Sequence, residues 1–223
     1  MPALPILYLG LAIVAGVLVV MATAAANKRR IEQYRAVARS HGLGFDPGDP
    51  SHVTSLDFDL FSRGHRGTAT YTMWRSTGPN FNRVFQYSYV TGSGKDSQTH
   101  YNSCALVGLS CSAARTRIQP SGLSGRLLNM VGARDIEFES PTFNDRYRIT
   151  SGDERFATTL IDPTMMGWLL EVPCALDVHF LGSWMLAIDR KRTPDVLPDL
   201  LAYAEEFVAR MPTVLASLYP AAE

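Results

Sequence analysis

The sequence is short of several things, and each shortage excludes something. Its formal charge is zero, with 21 basic and 21 acidic residues among 223. No basic excess points to nucleic acid, and no acidic excess points to a cation buffer. Lysine is nearly missing: Lys28, Lys95 and Lys191 are all there is, and arginine carries the remaining positive charge. That bias matches GC-rich codon usage and a bacterial source. Cysteine is equally sparse. Cys104, Cys111 and Cys174 cannot all pair, and none forms a C-x-x-C. The count fits a reducing compartment, with each thiol read as a small buried hydrophobe.

Catalytic and ligand motifs are also wanting. The stretch "TGSGKDS", 91–97, looks like the end of a phosphate-binding loop. That motif needs Gly at position 89, where Tyr stands, and Ser or Thr after the Lys, where Asp96 stands. It must also open a helix so that backbone N–H groups meet the anion. "SQTHYNSCALVGL" instead alternates like a strand, so the stretch reads as a hairpin turn. "GLSGR" is not the nucleophile motif G-x-S-x-G. Histidines 41, 52, 65, 100 and 179 show neither H-E-x-x-H nor a metal-ligand spacing with the cysteines. His179 alternates outward from its strand and reads as exposed; His65 reads as part of a turn. Glu137 and Glu139 have arginines available as partners, which would make them poor general acids. Asp57 and Asp59 read as strand edge. No catalytic residue, metal or cofactor is assigned.

What is present begins with a hydrophobic fraction of 46%, enough for a buried core. Residues 4–26, "LPILYLGLAIVAGVLVVMATAAA", carry no charge. Roughly 20 apolar residues in a helix cross a bilayer core of about 30 Å. Lys28, Arg29 and Arg30 follow the run, and no charged side chain precedes it. That asymmetry predicts a transmembrane anchor with the C-terminal part in the cytoplasm. The rival is a cleaved signal peptide with Ala24-x-Ala26 as its site, but such peptides carry their charge before the apolar run. Ala12 and Gly16 would share a helix face and let two anchors pack as a homodimer.

"NKRRIEQYRAVARSHGLGF" predicts a helix ending near Gly42, with Lys28, Arg29, Arg30, Arg35 and Arg39 offered to anionic lipid. "DPGDP", 46–50, reads as a linker. Three strands are expected in "RGTATYTMWRS", "NRVFQYSYVTG" and "THYNSCALVGL", with "STGPN", 76–80, breaking the first two. "SGLSGRLLNMV", 121–131, predicts a short helix.

Two hairpins follow with a register. Pairing Glu139 with Arg146 sets Phe138 against Tyr147, Glu137 against Arg148 and Ile136 against Ile149, with apolar pairs on one face. In "LDVHFLGSWMLAI", Leu176, Val178 and Phe180 are expected on the same face as Trp184, Leu186 and Ile188, around a turn at Leu181–Ser183. "DERFATTLI" predicts a helix, and Asp162-Pro163 predicts the N-cap and first residue of another. Last comes a long stripe from Leu197 to Leu218, capped by Thr193, opened by Pro194 and kinked or ended at Pro212.

The stretch "DIEFESPTFNDRYRITSGDERFATTLIDPTMMGWLL", 135–170, resembles a segment of actinobacterial single-pass membrane proteins that carry a domain of unknown function. The shared wording is D-I-x-F-E-S, F-N, R-F-A and P-x-M-M. The resemblance implies a bacterial source and membrane attachment; it implies no activity and no site residues.

The expected architecture is therefore α+β: an anchor at 1–27, a juxtamembrane helix and linker at 28–55, and a mainly antiparallel sheet domain with a long C-terminal helix at 56–220. A curved sheet closed by a C-terminal helix, as in pleckstrin-like folds, fits the element order. The function expected is a cytoplasmic-facing binding or scaffold domain for a lipid surface, a protein partner or a small ligand. The alternative is an enzyme whose site assembles from distant loops.

Overall fold

In this computed structural model the described residues are 3–75, 82–121 and 134–221, with side chains from Val14 onward. The apolar run and the basic helix after it form one element, α1 (Ala3–Ser40). Gly42 ends it in the left-handed region at φ 66°, and the Leu43 N–H returns to the Ala38 carbonyl at 2.8 Å. This closure needs a residue without a Cβ. Six large apolar side chains of α1, Val14, Val17, Leu18, Val19, Val20 and Met21, are exposed. Among the described residues, no helix is long and apolar enough to cross a membrane.

Seven antiparallel strands make one sheet: β1 (Gly44–Asp46), β2 (His65–Arg75), β3 (Asn82–Thr91), β4 (Gln98–Pro120), β5 (Arg134–Ile136), β6 (Tyr147–Ser151) and β7 (Asp177–Asp189). The helices are α2 (Pro141–Arg146), α3 (Glu154–Leu160), α4 (Pro163–Glu171), α5 (Val196–Arg210) and α6 (Val214–Leu218). β4 is the spine. Its first half pairs with β3, its last residues pair with β6, and two stretches, Ser103–Gly108 and Thr116–Ile118, pair with β7.

Strand alternation reverses part-way along β2, β4 and β7. Ala69 of β2 lies in one core and Met73 in the other, although the two are an even number of residues apart. An irregularity between Thr70 and Met73, where Tyr71 takes a positive φ of 54°, supplies the odd residue. In β4 the registry with β7 shifts between Gly108 and Thr116. In β7 the change is at Gly182, φ 55°. Bulges of this kind insert residues, bend the strand and exchange its faces.

The expected hairpin at 176–188 is thus a single bent strand. Val178 and Phe180 face one core while Leu186 and Ile188 face the other, so the shared face predicted for them is corrected. The hairpin at 135–149 is half right. Ile136 pairs with Ile149 as expected, but the ladder stops there and α2 takes over. Asn144 holds Phe138 by its backbone at both N–H and C=O, with bonds of 3.1 and 2.7 Å. Arg146 therefore donates to the Leu170 and Val172 carbonyls rather than meeting Glu139, and Arg148 pairs with Asp135 rather than Glu137.

Asp153 and Asp162 cap α3 and α4, accepting from Phe156 and Met165 at 3.0 and 2.7 Å. The long C-terminal helix is not present. α5 ends at Arg210 and α6 begins only at Val214, because Pro212 cannot continue the ladder. Thr193 and Pro194 lend their carbonyls to a turn before α5 instead of capping and opening it. Asp57 and Asp59 lie in a loop, not a strand, and His65 opens β2. "TGSGKDS" is the turn between β3 and β4, as expected. The turn expected at 76–80 and the helix expected at 121–131, from 122 on, lie outside the described residues.

Two cores occupy the two faces. The larger is roofed by helices, with Tyr34 and Ala38 of α1, Leu169 of α4 and Phe207 of α5 packed on Val107, Phe180 and Met185. The smaller holds Phe85, Tyr87, Cys104, Leu106 and Leu186, covered by Val53, Phe58 and Leu60 from the segment before β2.

Candidate functional site

The second face is only partly filled. A cavity of about 940 Å³ opens on it. Its wall includes Gln98 and Pro120, the two ends of β4, and Asp177 and Asp189, the two ends of β7. A 23-residue strand laid straight would span roughly 75 Å, so this face must be the concave side of a strongly curled sheet. The bulges in β4 and β7 supply the bend. The volume falls within the range of small-molecule sites.

The wall divides by chemistry. Leu60, Tyr89 and Ile188 offer apolar surface, while Arg63, His100, Arg117, Asp177 and Arg190 are titratable. Asp177 binds Arg117 through two bonds, 2.8 and 2.6 Å, and lies 3.0 Å from Nε2 of His179. An ionised carboxylate can only accept, so His179 carries its proton on Nε2. Burial alone would push the Asp177 carboxyl up. The charge and hydrogen bond of His179 and the Arg117 fork outweigh burial and hold it well below the usual carboxylate range. His179 is buried at 4% exposure, so the expected exposed histidine is corrected. Asp177-x-His179 on a strand does place both residues on one face, and that was the sequence signal for the pair. Arg117 was not legible, because its position opposite His179 depends on the bulged register of β4.

Nearby, Arg115 holds Asp59 at 2.8 Å and also bonds Asp57, tying the covering loop to β4. Tyr87 donates to the Phe61 carbonyl, and burial raises its phenol to about 12. Thr91 Oγ1 and His100 Nε2 are 2.7 Å apart on the wall, with His100 stacked on Tyr89. The Nε of Arg63 is buried and meets no hydrogen-bond partner among the described residues. Cys104 and Cys111 are buried, and burial pushes both thiols up. Cys174 is exposed on the wall, which corrects its reading as a buried hydrophobe.

The residues expected at a membrane surface lie along α1. Lys28, Arg29, Arg30 and Arg39 are exposed. Arg35 is half-buried, bonding Glu32 at 2.5 Å and standing over the Phe45 ring. Tyr34 turns inward and stacks on Tyr71 with ring centres 4.2 Å apart. Burial and Tyr71 raise its phenol, against the lowering pull of Arg30 and Arg192. Among the described residues, no group of three His, Cys, Asp or Glu side chains is placed to hold a metal ion.

With this geometry in hand, one solved structure is informative. It is the crystal structure of the mycobacterial trehalose monomycolate transport factor A, TtfA. The two superpose with a TM-score of 0.63 over 86% of this chain and 97% of that one, at 13% sequence identity. At such low identity the likeness shows the fold alone. No family model and no curated protein matches the chain.

Proposed function

We propose that the chain is a membrane-tethered binding domain that holds a small amphipathic ligand in the concave cavity. The observation that carries this reading is the cavity itself: about 940 Å³, part apolar and part charged, walled by both ends of β4 and of β7. The likeness in fold to a trehalose monomycolate transport factor supports a binding or transport role. In this reading residues 4–26 anchor the chain in the cell membrane. The basic flank of Lys28, Arg29, Arg30, Arg35 and Arg39 keeps the domain on the cytoplasmic side. Ala12 and Gly16 offer a surface for pairing two anchors.

Native mass spectrometry of the full chain, extracted gently from membranes, tests the ligand. A bound amphiphile is expected on the wild type and reduced on Ser62→Trp, whose indole would take up part of the cavity from an exposed wall position. Equal ligand on both proteins would remove the cavity as its site. Protease treatment of inside-out vesicles tests the topology, since a domain digested only from the opposite face is not cytoplasmic.

A second reading, an enzyme, rests on the Thr91–His100 contact of 2.7 Å. A hydroxyl beside an imidazole is the start of a nucleophile–base arrangement. Turnover that survives in Thr91→Val would dispose of it.

A further inference from the structure

The segment after β7 reads Arg190-Lys191-Arg192, and all three residues are exposed. It is not a loose tail. The Lys191 carbonyl accepts from Ser103 Oγ at 2.6 Å, and Ser103 in turn accepts from Gln86 at 2.6 Å. The Arg192 carbonyl accepts from the Tyr34 hydroxyl at 3.1 Å. Tyr34 is on α1, four residues beyond Arg30, or about 6 Å along the helix. Arg30 and Arg192 both act electrostatically on that one hydroxyl. Arg30 and Arg192, far apart in sequence and each the end of a cationic triplet, Lys28–Arg30 and Arg190–Arg192, are therefore held near one another around Tyr34.

Two further features adjoin them. Tyr101 is 41% exposed, and the Arg192 guanidinium stacks on its ring at 3.5 Å. Tyrosine at that kind of boundary suits the headgroup layer of a bilayer. On the other side, α1 continues back from Lys28 into the exposed apolar side chains of Val14–Met21. Apolar surface on α1 thus leads into cationic surface, with an exposed tyrosine beside the second cationic triplet. Arg190 also stands on the cavity wall, so the cavity reaches this edge.

We propose that Arg190, Lys191, Arg192 and Tyr101 join Lys28–Arg30 as one docking surface for an anionic bilayer, and that the cavity mouth is held against the headgroups there. This rests on the anchor reading above and extends it. The sheet domain, and not only the helix, contacts the lipid. An amphiphile then passes between bilayer and cavity without crossing open water.

The three lysines of the chain make the test direct. Lys28 and Lys191 lie in the surface, and Lys95 lies on the exposed turn between β3 and β4, roughly 20 Å of strand from Ser103. The full chain is reconstituted in nanodiscs of phosphatidylcholine alone or with phosphatidylglycerol, neither of which has an amine. Lysine acylation rates are then read by mass spectrometry. Anionic lipid is expected to slow Lys28 and Lys191 about fivefold each, the factor set by one basic residue's attraction to the surface. Lys95 keeps its rate, and high salt removes the effect. Arg190→Gln with Arg192→Gln is expected to release Lys191 while Lys28 stays slowed. The Tyr34 bond survives in that variant because it goes to a main-chain carbonyl. Slowing of Lys28 without Lys191 overturns the docking surface and leaves the anchor standing. A chain that elutes apart from the discs overturns the anchor and the docking surface with it. Equal slowing of all three lysines means general adsorption and also overturns the docking surface.

Discussion

The two faces of the sheet are built from the same strands and put to different use. The convex face is roofed by helices, with Phe143, Phe156, Leu160, Leu169 and Phe207 all at 1% exposure or less. The concave face has a loop for a roof, polar pairs set into it, and a cavity at its edge. Helices can cover a sheet continuously because each presents a broad apolar stripe. A loop must satisfy its own backbone and covers less. One face is thus specialised for stability, and the other is left able to hold a ligand.

Four substitutions test that division, from the largest effect to the smallest. Phe207→Ala empties the middle of the helix-covered core, where the ring meets Trp168 and Phe180 at centroid distances of 5.5 and 5.6 Å. It is expected to destabilise the fold by ~3–5 kcal/mol in urea unfolding. A loss under 1 kcal/mol would mean that the two faces do not differ as described.

Asp177→Asn strikes the concave face. It leaves Arg117 and His179 buried without their carboxylate, at an expected loss of about 2–3 kcal/mol near pH 7. The sign of its pH dependence follows from the depressed carboxyl. Stability from a lowered acid is complete above the unfolded value near 4 and is lost as pH falls toward the folded one. The gap between wild type and Asp177→Asn should be flat from about pH 6 upward and close below about pH 4. A gap that widens on acidification contradicts the assignment.

Gly182→Ala tests the hinge between the faces. No heavy atom lies within 4 Å of the added Cβ, so only the positive φ opposes it. The expected loss is about 1–2 kcal/mol by thermal or chemical unfolding. A neutral result would show that β7 exchanges faces without needing the left-handed residue. Lys95→Ala, at the tip of the β3–β4 turn, should change stability by no more than about 0.5 kcal/mol and leave ligand retention intact. Any loss of ligand there would reopen the question of a phosphate-binding loop.

Much of the local structure was legible because it depends on near neighbours. The N-caps at Asp162 and the closure at Gly42 follow from side chains or backbone a few residues away. The turn at 91–97 needs only its glycines and polar residues. The Ile136–Ile149 register was readable because the strands are close in sequence. Asn144 hid the end of that ladder, since its side chain imitates the next strand bonds and lets α2 begin. The cavity was not legible. Its wall draws on residues from Leu60 to Arg190 and exists only because β4 and β7 curl.

Alternation with period two assigns faces correctly as long as no residue is inserted. Each bulge resets the count, and a bulge is decided by how a strand meets its partner rather than by its own side chains. By itself, then, the sequence determined the apolar run followed by basic residues, the strand-rich middle, the cap at Asp162 and the stop at Pro212. The tertiary structure alone decided which strand residues face the helices and which face the cavity. It alone joined Arg117 to Asp177 and His179, and brought Arg192 to Tyr34. Those contacts link positions that only the bulged, curled sheet brings together, and no local propensity encodes that path.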